Sequence, residues 1–355
     1  VVLHGSTWAR IGDYAKRLSE GSASAGTRLR AALEALPVPR VDASWLLVAL
    51  LATKRPCIFA ESEVKGDGTD WTREELGLLG DLGIALPVTV FDDGSHSSPR
   101  AHPEPFGATL LFAPGALLAS AHGEPADSGV APGGAIDTAS YRALYERRIL
   151  PLLQYASAVS AAAGRKALVT VPGLGCGQFA GPFHGSMGPY LRDALAAILE
   201  RHAASLPGIR ALRFDPYGEC ANERREYGGL SFLVRPLALN EREGTGLGLP
   251  QLLPPRYYEE AGDDYSACEL FSVVAWDHVS WPGNDYWAGA RSTDDGVKAA
   301  ATDAMFALTG VRGRYDPAAC AYLPPPGVRA WEDLVNEHRM ALRAVDNVMV
   351  VGGSA

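Results

Sequence analysis

Residues 271–301 read FSVVAWDHVSWPGNDYWAGARSTDDGVKAAA, and the fold class turns on this stretch. It opens with an apolar run over 271–276 of the length and composition of a buried strand. Pro282-Gly283 and then Gly289 mark a loop. Thr293, Asp294 and Asp295 precede a helical pattern that places Val297, Ala300, Ala301, Ala304 and Leu308 on one face. Open α/β sheets build ligand sites this way, beyond the carboxyl ends of their strands. The loop carries Asp277, Asp285, Asp294 and Asp295, with His278, Asn284, Arg291 and the tryptophans 276, 281 and 287. An ordinary connection does not need so much polar and aromatic material.

Upstream, residues 167–171 form a strand without polar alternation, as expected of one buried on both faces. A loop with Gly173, Gly175, Gly177 and Gly181 follows, then a helix from Met187 with Tyr190, Leu191, Ala194, Leu195 and Ile198 on one side. Further strands are read at 88–91, 108–112, 209–214 and 230–235, and a last one at 347–351. A long helix starts at Thr138, and Pro151 is expected to kink or restart it. Residues 95–105, 219–226 and 237–255 read as loops. Strands alternating with helices predict an α/β architecture with a mixed sheet. Residues before 87 read as helices. Asp42 is placed as an N-cap, Thr72 with Glu75 forms a capping box, and 57–60 could be a short strand. No catalytic constellation stands out there. The expected division is an accessory helical extension over 1–86 and a catalytic domain over 87–355.

The net charge of −9 argues against nucleic acid, which calls for a basic footprint. The longest apolar run, 45–52, is too short to cross a bilayer, so no membrane partner is expected. No basic segment followed by an apolar one opens the chain, so no secretion signal is read there. The five cysteines (57, 176, 220, 268 and 320) are scattered without C-x-x-C spacing. That pattern points to reduced thiols and a cytoplasmic setting, and gives no support for a structural zinc site.

Each candidate has a plain reading beside the functional one. The glycine loop lacks the Gly-Lys-Ser/Thr of a nucleotide P-loop and, with Gln178 in sixth place, the G-x-G-x-x-G fingerprint. Its glycines can still present backbone N–H groups to a phosphate. Of Asp294 and Asp295, at a helix start, one is expected to be a cap. Gly283-Asn284-Asp285 is also ordinary turn chemistry. Asp277 sits where a strand emerges. Together the acids could hold magnesium, act on a glycosidic bond, or bind a guanidinium. His278 reads as a structural hydrogen-bond partner. Cys176 as a nucleophile has no histidine fixed beside it.

With both loops in view, residues 167–181, ALVTVPGLGCGQFAG, resemble the strand and diphosphate-binding loop of the macrodomains, an α/β/α fold that binds ADP-ribose. Pro172, Gly173 to Gly177 and Phe179 carry the likeness. Residues 271–295 are similar to the macrodomain catalytic loop. Within that family the chain resembles the divergent ADP-ribosylhydrolase branch typified by the bacterial effector MavL, which removes ADP-ribose from an arginine of ubiquitin. There an acidic loop with several aspartates replaces the usual asparagine–glycine pattern, and Asp277, Asp285 and Asp295 are the matching acids here. Trp281-Pro282-Gly283-Asn284 stands in place of a triple-glycine loop, and the loop order is reversed, as in a permuted chain.

The resemblance covers about the last two-thirds of the chain. It implies a macrodomain-like α/β/α sandwich with an N-terminal helical extension, no cofactor, and ADP-ribose and an ADP-ribosylated protein such as ubiquitin as partners. For an effector, the setting would be a host cytosol. It also implies a diphosphate on the N–H groups of Gly173, Leu174, Gly175, Cys176 and Gly177. Phe179, Phe214 and Tyr217 would wall the adenine, and Asn284 would touch substrate. The rival readings are a non-catalytic ADP-ribose reader and a metal-dependent hydrolase with Asp277, Asp285, Asp294 and Asp295 on magnesium.

Overall fold

The computed structural model describes residues 1–35, 41–55, 64–281, 283, 285, 291–337 and 347–352. In chain order, β1 (Val2–His4) is followed by α1 (Gly5–Ser19), α2 (Thr27–Glu34), α3 (Ala43–Thr53) and α4 (Arg73–Gly80). Next come β2 (Ile84–Asp92), β3 (Ala101–Pro114), α5 (Thr138–Ala162), β4 (Lys166–Val171) and α6 (Gly188–His202). They lead to β5 (Ile209–Phe214), β6 (Glu223–Tyr227), β7 (Leu230–Val234), α7 (Leu237–Glu243) and β8 (Cys268–Trp276). The chain continues with α8 (Asp294–Ala301), α9 (Ala304–Thr309), β9 (Arg314–Asp316), β10 (Ala321–Leu323), α10 (Trp331–Glu337) and β11 (Met349–Val351).

Seven strands form one mixed sheet in the order β2-β3-β8-β4-β5-β7-β6. The inner five run parallel, and β2 and β6 are antiparallel edges. β8 comes late in the chain yet lies between β3 and β4. That insertion puts the two loops singled out above side by side.

The pleat sends alternate residues to opposite faces. Leu111, Ala113, Val169, Val171, Leu212 and Val273 pack with α5 and α6 residues such as Tyr145, Leu152, Leu191 and Leu195. Leu110, Phe112, Leu168, Ala211 and Val274 share a second cluster with Ile11, Tyr14, Leu46 and Leu50 of the N-terminal helices and with Ala301 and Met305. Helices therefore cover both faces, the α/β/α arrangement expected. The helices before residue 87 share a core with the sheet, and the first sheet strand begins at Ile84.

Local chemistry explains several helix starts. Asp42 caps α3 by accepting from the Trp45 N–H, and Thr72 with Glu75 makes the full capping box on α4. Several expectations change. The long helix runs unbroken through Pro151. An interior proline costs about 3 kcal/mol. The adjacent Ile149, Leu150, Leu152 and Leu153 are all buried, each contributing about 1.5–3 kcal/mol, so packing outweighs the break. Residues 101–105 belong to β3, with Ala101 paired to Asp92 past a bulge. Residues 223–227 are the edge strand β6, where half-buried and exposed residues alternate as they do on a strand with one solvated face. Residues 237–243 are helical. The pattern after Thr293 is two helices, interrupted where Thr302 bridges Val90 and Asp303 accepts from the Thr89 N–H at 2.6 Å. The final strand pairs with β1 outside the main sheet, and residues 57–60 lie outside the described residues.

Candidate functional site

β4 and β8 are paired neighbours, with Thr170 opposite Ser272, so the glycine loop and the acidic loop leave the same edge of the sheet together. The rings of Phe179 and His278, one from each loop, are 6.1 Å apart. The exit of β3 completes the edge. A Cβ on Gly115 would stand 2.2 Å from the Gly175 nitrogen, so only a glycine lets the two segments touch. Gly175 itself has φ +71°, a conformation that favours glycine. The Tyr145 hydroxyl donates to Leu174 O at 2.7 Å and accepts from the Ala116 N–H at 3.1 Å, clamping the loop from beneath.

Two of the five N–H groups assigned to the diphosphate are used inside the loop. Leu174 donates to Pro172 O at 2.8 Å and Cys176 to Gly173 O at 3.0 Å. Those of Gly173, Gly175 and Gly177 make no hydrogen bond among the described residues, and the Gly175 nitrogen lies against Gly115. Gly173 and Gly177 are therefore the open donors. Cys176 is buried, and burial, with Glu219 and Cys220 adding, pushes its thiol far above the ordinary range, which is wrong for a nucleophile.

The acids sort into distinct roles. Asp294 Oδ2 accepts from the Ala275 N–H at 2.9 Å, and its Oδ1 is 2.6 Å from Lys298 Nζ. That buried ammonium also donates to Gln251 Oε1 at 2.9 Å and Val273 O at 2.8 Å. Asp294 is thus tied into the scaffold. Asp295, the next residue, is buried, and its carboxyl is pushed up to about 8. Burial is the largest cause. Asp277 comes next, and Asp285 and Asp294 add, while the Thr293 hydroxyl works against the shift. Asp295 is thus the acid of this group that holds a proton near neutral pH. Asp277 accepts from the Ser280 hydroxyl, and Asp285 from Ser292 Oγ at 2.6 Å. Gly283 has φ +148°, and a Cβ there would lie 1.9 Å from Asp295 Oδ2, so the loop backbone passes directly over that carboxyl. Pro282, Asn284 and Trp287 lie outside the described residues.

Beneath these loops is a buried ionic network that sequence reasoning missed. Arg148 grips Asp127 through two nitrogens at 2.8 and 3.1 Å, donates to Gly115 O at 2.8 Å, and lies 3.3 Å from Asp81. Burial alone would raise the Asp127 carboxyl, but Arg148 and His278 hold it well below the usual range. His278 is fully buried, with Nε2 3.3 Å from Asp127 Oδ2, and burial lowers its proton affinity. It is a structural partner, as its sequence context suggested. Asp81 also meets Arg10 at 2.7 Å and Arg147 at 3.0 Å, linking α1 to the network. The one sequence signal was Arg148 itself, a charge on the apolar face of α5. At the C-terminal end of α3, Lys54 Nζ donates to Asp277 O at 3.0 Å and His278 O at 2.6 Å, a contact that no local sequence pattern signals.

Of the aromatics expected around an adenine, Phe214 is sealed in the core with the α5–α6 cluster and cannot wall a ligand. Phe179 is half-buried beside the acidic loop. Tyr217 is 70% exposed at a positive φ of 59°, held by its N–H on Asp215 Oδ1 at 2.8 Å. It lines a cleft of about 1800 Å³ together with Asp215, Leu237, Tyr257, Ser292 and Asp294. The glycine loop, Asp277 and Asp295 are outside that lining. Among the described residues no group of three or more His, Cys, Asp or Glu is placed to hold a metal ion. Asp294, required by the magnesium reading, is engaged by Lys298. No helix among the described residues is long and apolar enough to cross a membrane.

The family model of the macrodomain effector MavL matches residues 1–328. The match spans the N-terminal helices and all seven strands of the main sheet, and with them both loops. No curated protein matches the chain. With a match across nearly the whole sequence and a mixed sheet flanked by helices on both faces, the chain belongs to the MavL family of macrodomain effectors.

Proposed function

We propose that the protein hydrolyses the bond between ADP-ribose and a protein side chain, with arginine as the linkage and ubiquitin as the carrier by analogy. The family supports an ADP-ribose-related macrodomain function. The observation that carries the step to hydrolysis is Asp295, a buried carboxyl raised to about 8 by its surroundings and by Asp277 and Asp285, one strand away from the glycine loop. Pairs of carboxyls held in different protonation states are how one site supplies both an acid and a base.

In this reading the diphosphate takes the N–H groups of Gly173 and Gly177, and Tyr217 with its cleft receives the adenosine half. The anomeric carbon then faces the acids. Cleavage of the C–N bond leaves positive charge on the sugar, which the Asp277 and Asp285 carboxylates stabilise. The Asp295 proton passes to the leaving nitrogen. Water adds to the sugar and gives its proton to a neighbouring carboxylate. The same negative charge attracts a guanidinium. A reader gains nothing from acids that repel a diphosphate, and this favours hydrolysis over mere binding.

Calorimetry with ADP-ribose, against AMP and ribose 5-phosphate, tests the ligand. Turnover on arginine-ADP-ribosylated protein then tests the chemistry. Asp285→Ala and Asp295→Ala should bind ADP-ribose nearly as wild type and lose turnover. Full turnover in both would overturn these roles, and binding without turnover by the wild type would make the protein a reader.

A further inference from the structure

Lys54 links the N-terminal helices to the acidic loop, and its chemistry is unusual. An ammonium is among the costliest groups to bury without partners. Here it is buried at 6% exposure, directly after α3. It donates to two successive carbonyl oxygens, Asp277 at 3.0 Å and His278 at 2.6 Å, and lies 4.2 Å from the centre of the Trp276 ring. The next residue continues the attachment: the Arg55 N–H donates to Val279 O at 2.8 Å, and Arg55 pairs in parallel with Ser280 as an isolated bridge. Residues 54 and 55 therefore hold the backbone from Trp276 to Ser280, the segment that begins where β8 ends and the parallel sheet no longer supports it. Ser280 in turn donates its hydroxyl to the Asp277 carboxylate.

We propose that Lys54 is a positioning residue: it fixes the backbone at Asp277 and His278, so that the Asp277 carboxylate faces Asp295. Two carbonyl dipoles aimed at one ammonium, over an aromatic face, define a single geometry for that turn. The region before residue 87, in which the sequence offers no catalytic constellation, would then complete the active site. The catalytic consequence rests on the hydrolase reading above, whereas the mechanical claim does not.

Lys54→Met is expected to lower kcat on the order of 100-fold, because small misplacements of a reacting group cost that much. KM and ADP-ribose affinity should stay within about twofold. Lys54→Arg, which keeps a cation over Trp276 and donors for the carbonyls, should recover most of the rate. In an Asp277→Asn background Lys54→Met should cost little more, since both act through the same carboxylate. Independently of activity, amide exchange over 277–280 should quicken at least about tenfold in Lys54→Met, with exchange in α5 unchanged. Unchanged exchange at 277–280, or full additivity with Asp277→Asn, would overturn the proposal. If the wild type shows no turnover, the hydrolase reading fails, and the exchange measurement alone decides whether Lys54 holds the loop. Should Lys54→Met fail to fold, Lys54→Gln carries the same exchange and rate measurements.

Discussion

Replacing Asp295 by asparagine should stabilise the protein, and by an amount that depends on pH. The carboxyl's ordinary value is 3.8 and its folded value about 8. The unfolded chain therefore releases this proton from about pH 4 upward while the native protein keeps it. Stability from the bound proton is complete below the unfolded value and is lost as pH rises toward the folded one. Each unit is worth about 1.4 kcal/mol, so the loss reaches about 2 kcal/mol at pH 5 and about 4 kcal/mol at pH 7, and levels off above pH 8. Asparagine keeps the Oδ1 that takes the Thr293 hydroxyl and has no charge to bury. With unfolding entropy scaling with chain length, 4 kcal/mol corresponds to about 5 °C in Tm for a chain this long. Thermal unfolding of wild type and Asp295→Asn from pH 5 to 8.5 reads the effect directly. The Tm gap should widen in favour of the variant as pH rises, while turnover collapses. A constant gap, or a variant less stable than wild type at pH 8, would mean that Asp295 is an ordinary ionised carboxylate, and the assignment of the acid would go with it.

The same proton predicts an alkaline limb: turnover should fall about tenfold per unit above pH 8 as Asp295 ionises, checked by the pH profile of kcat. Gly115→Ala puts a methyl 2.2 Å from the Gly175 nitrogen. It should cost about 1–3 kcal/mol of stability and weaken ADP-ribose binding, whereas Gly129→Ala, with nothing within 4 Å of its Cβ, should change neither. Asp127→Asn leaves Arg148 with only part of its compensation and should lower stability by about 3 kcal/mol in denaturant titration. Cys176→Ala should retain turnover, and the native thiol should resist alkylation at pH 8, because burial holds it protonated. Rapid inactivation by a thiol reagent at Cys176 would contradict that environment.

Strand, loop and helix at 271–301 were legible because a buried strand writes itself as an unbroken apolar run and a helix start as polar and acidic residues ahead of an apolar face, although neither Asp294 nor Asp295 is the cap: both lie in the first turn, and Thr293 takes the cap position without a side-chain cap bond. The same local rules located β4, β5 and β7, the capping box at Thr72, and the helix after Met187. The acids and glycines were visible as residue types at fixed places. Their roles were not, since a carboxylate at a helix start reads alike whether it meets Lys298, as Asp294 does, or Asp277, as Asp295 does. Pro151 and the strand at 223–227 misled for the complementary reason: local preference there is overruled by packing against the sheet.

The sequence by itself determined the α/β class, the two loops and the kinds of group they present, because each depends on neighbours a few residues away. Only the tertiary structure decided that β8 lies beside β4, that Phe214 faces the core, that Arg148 and Asp127 underlie the site, and that Lys54 grips Asp277 from 223 residues away. Burial and pairing between distant segments set those facts, and with them the proton on Asp295. A desolvation energy belongs to the folded surroundings of a group, which residue type and spacing do not state.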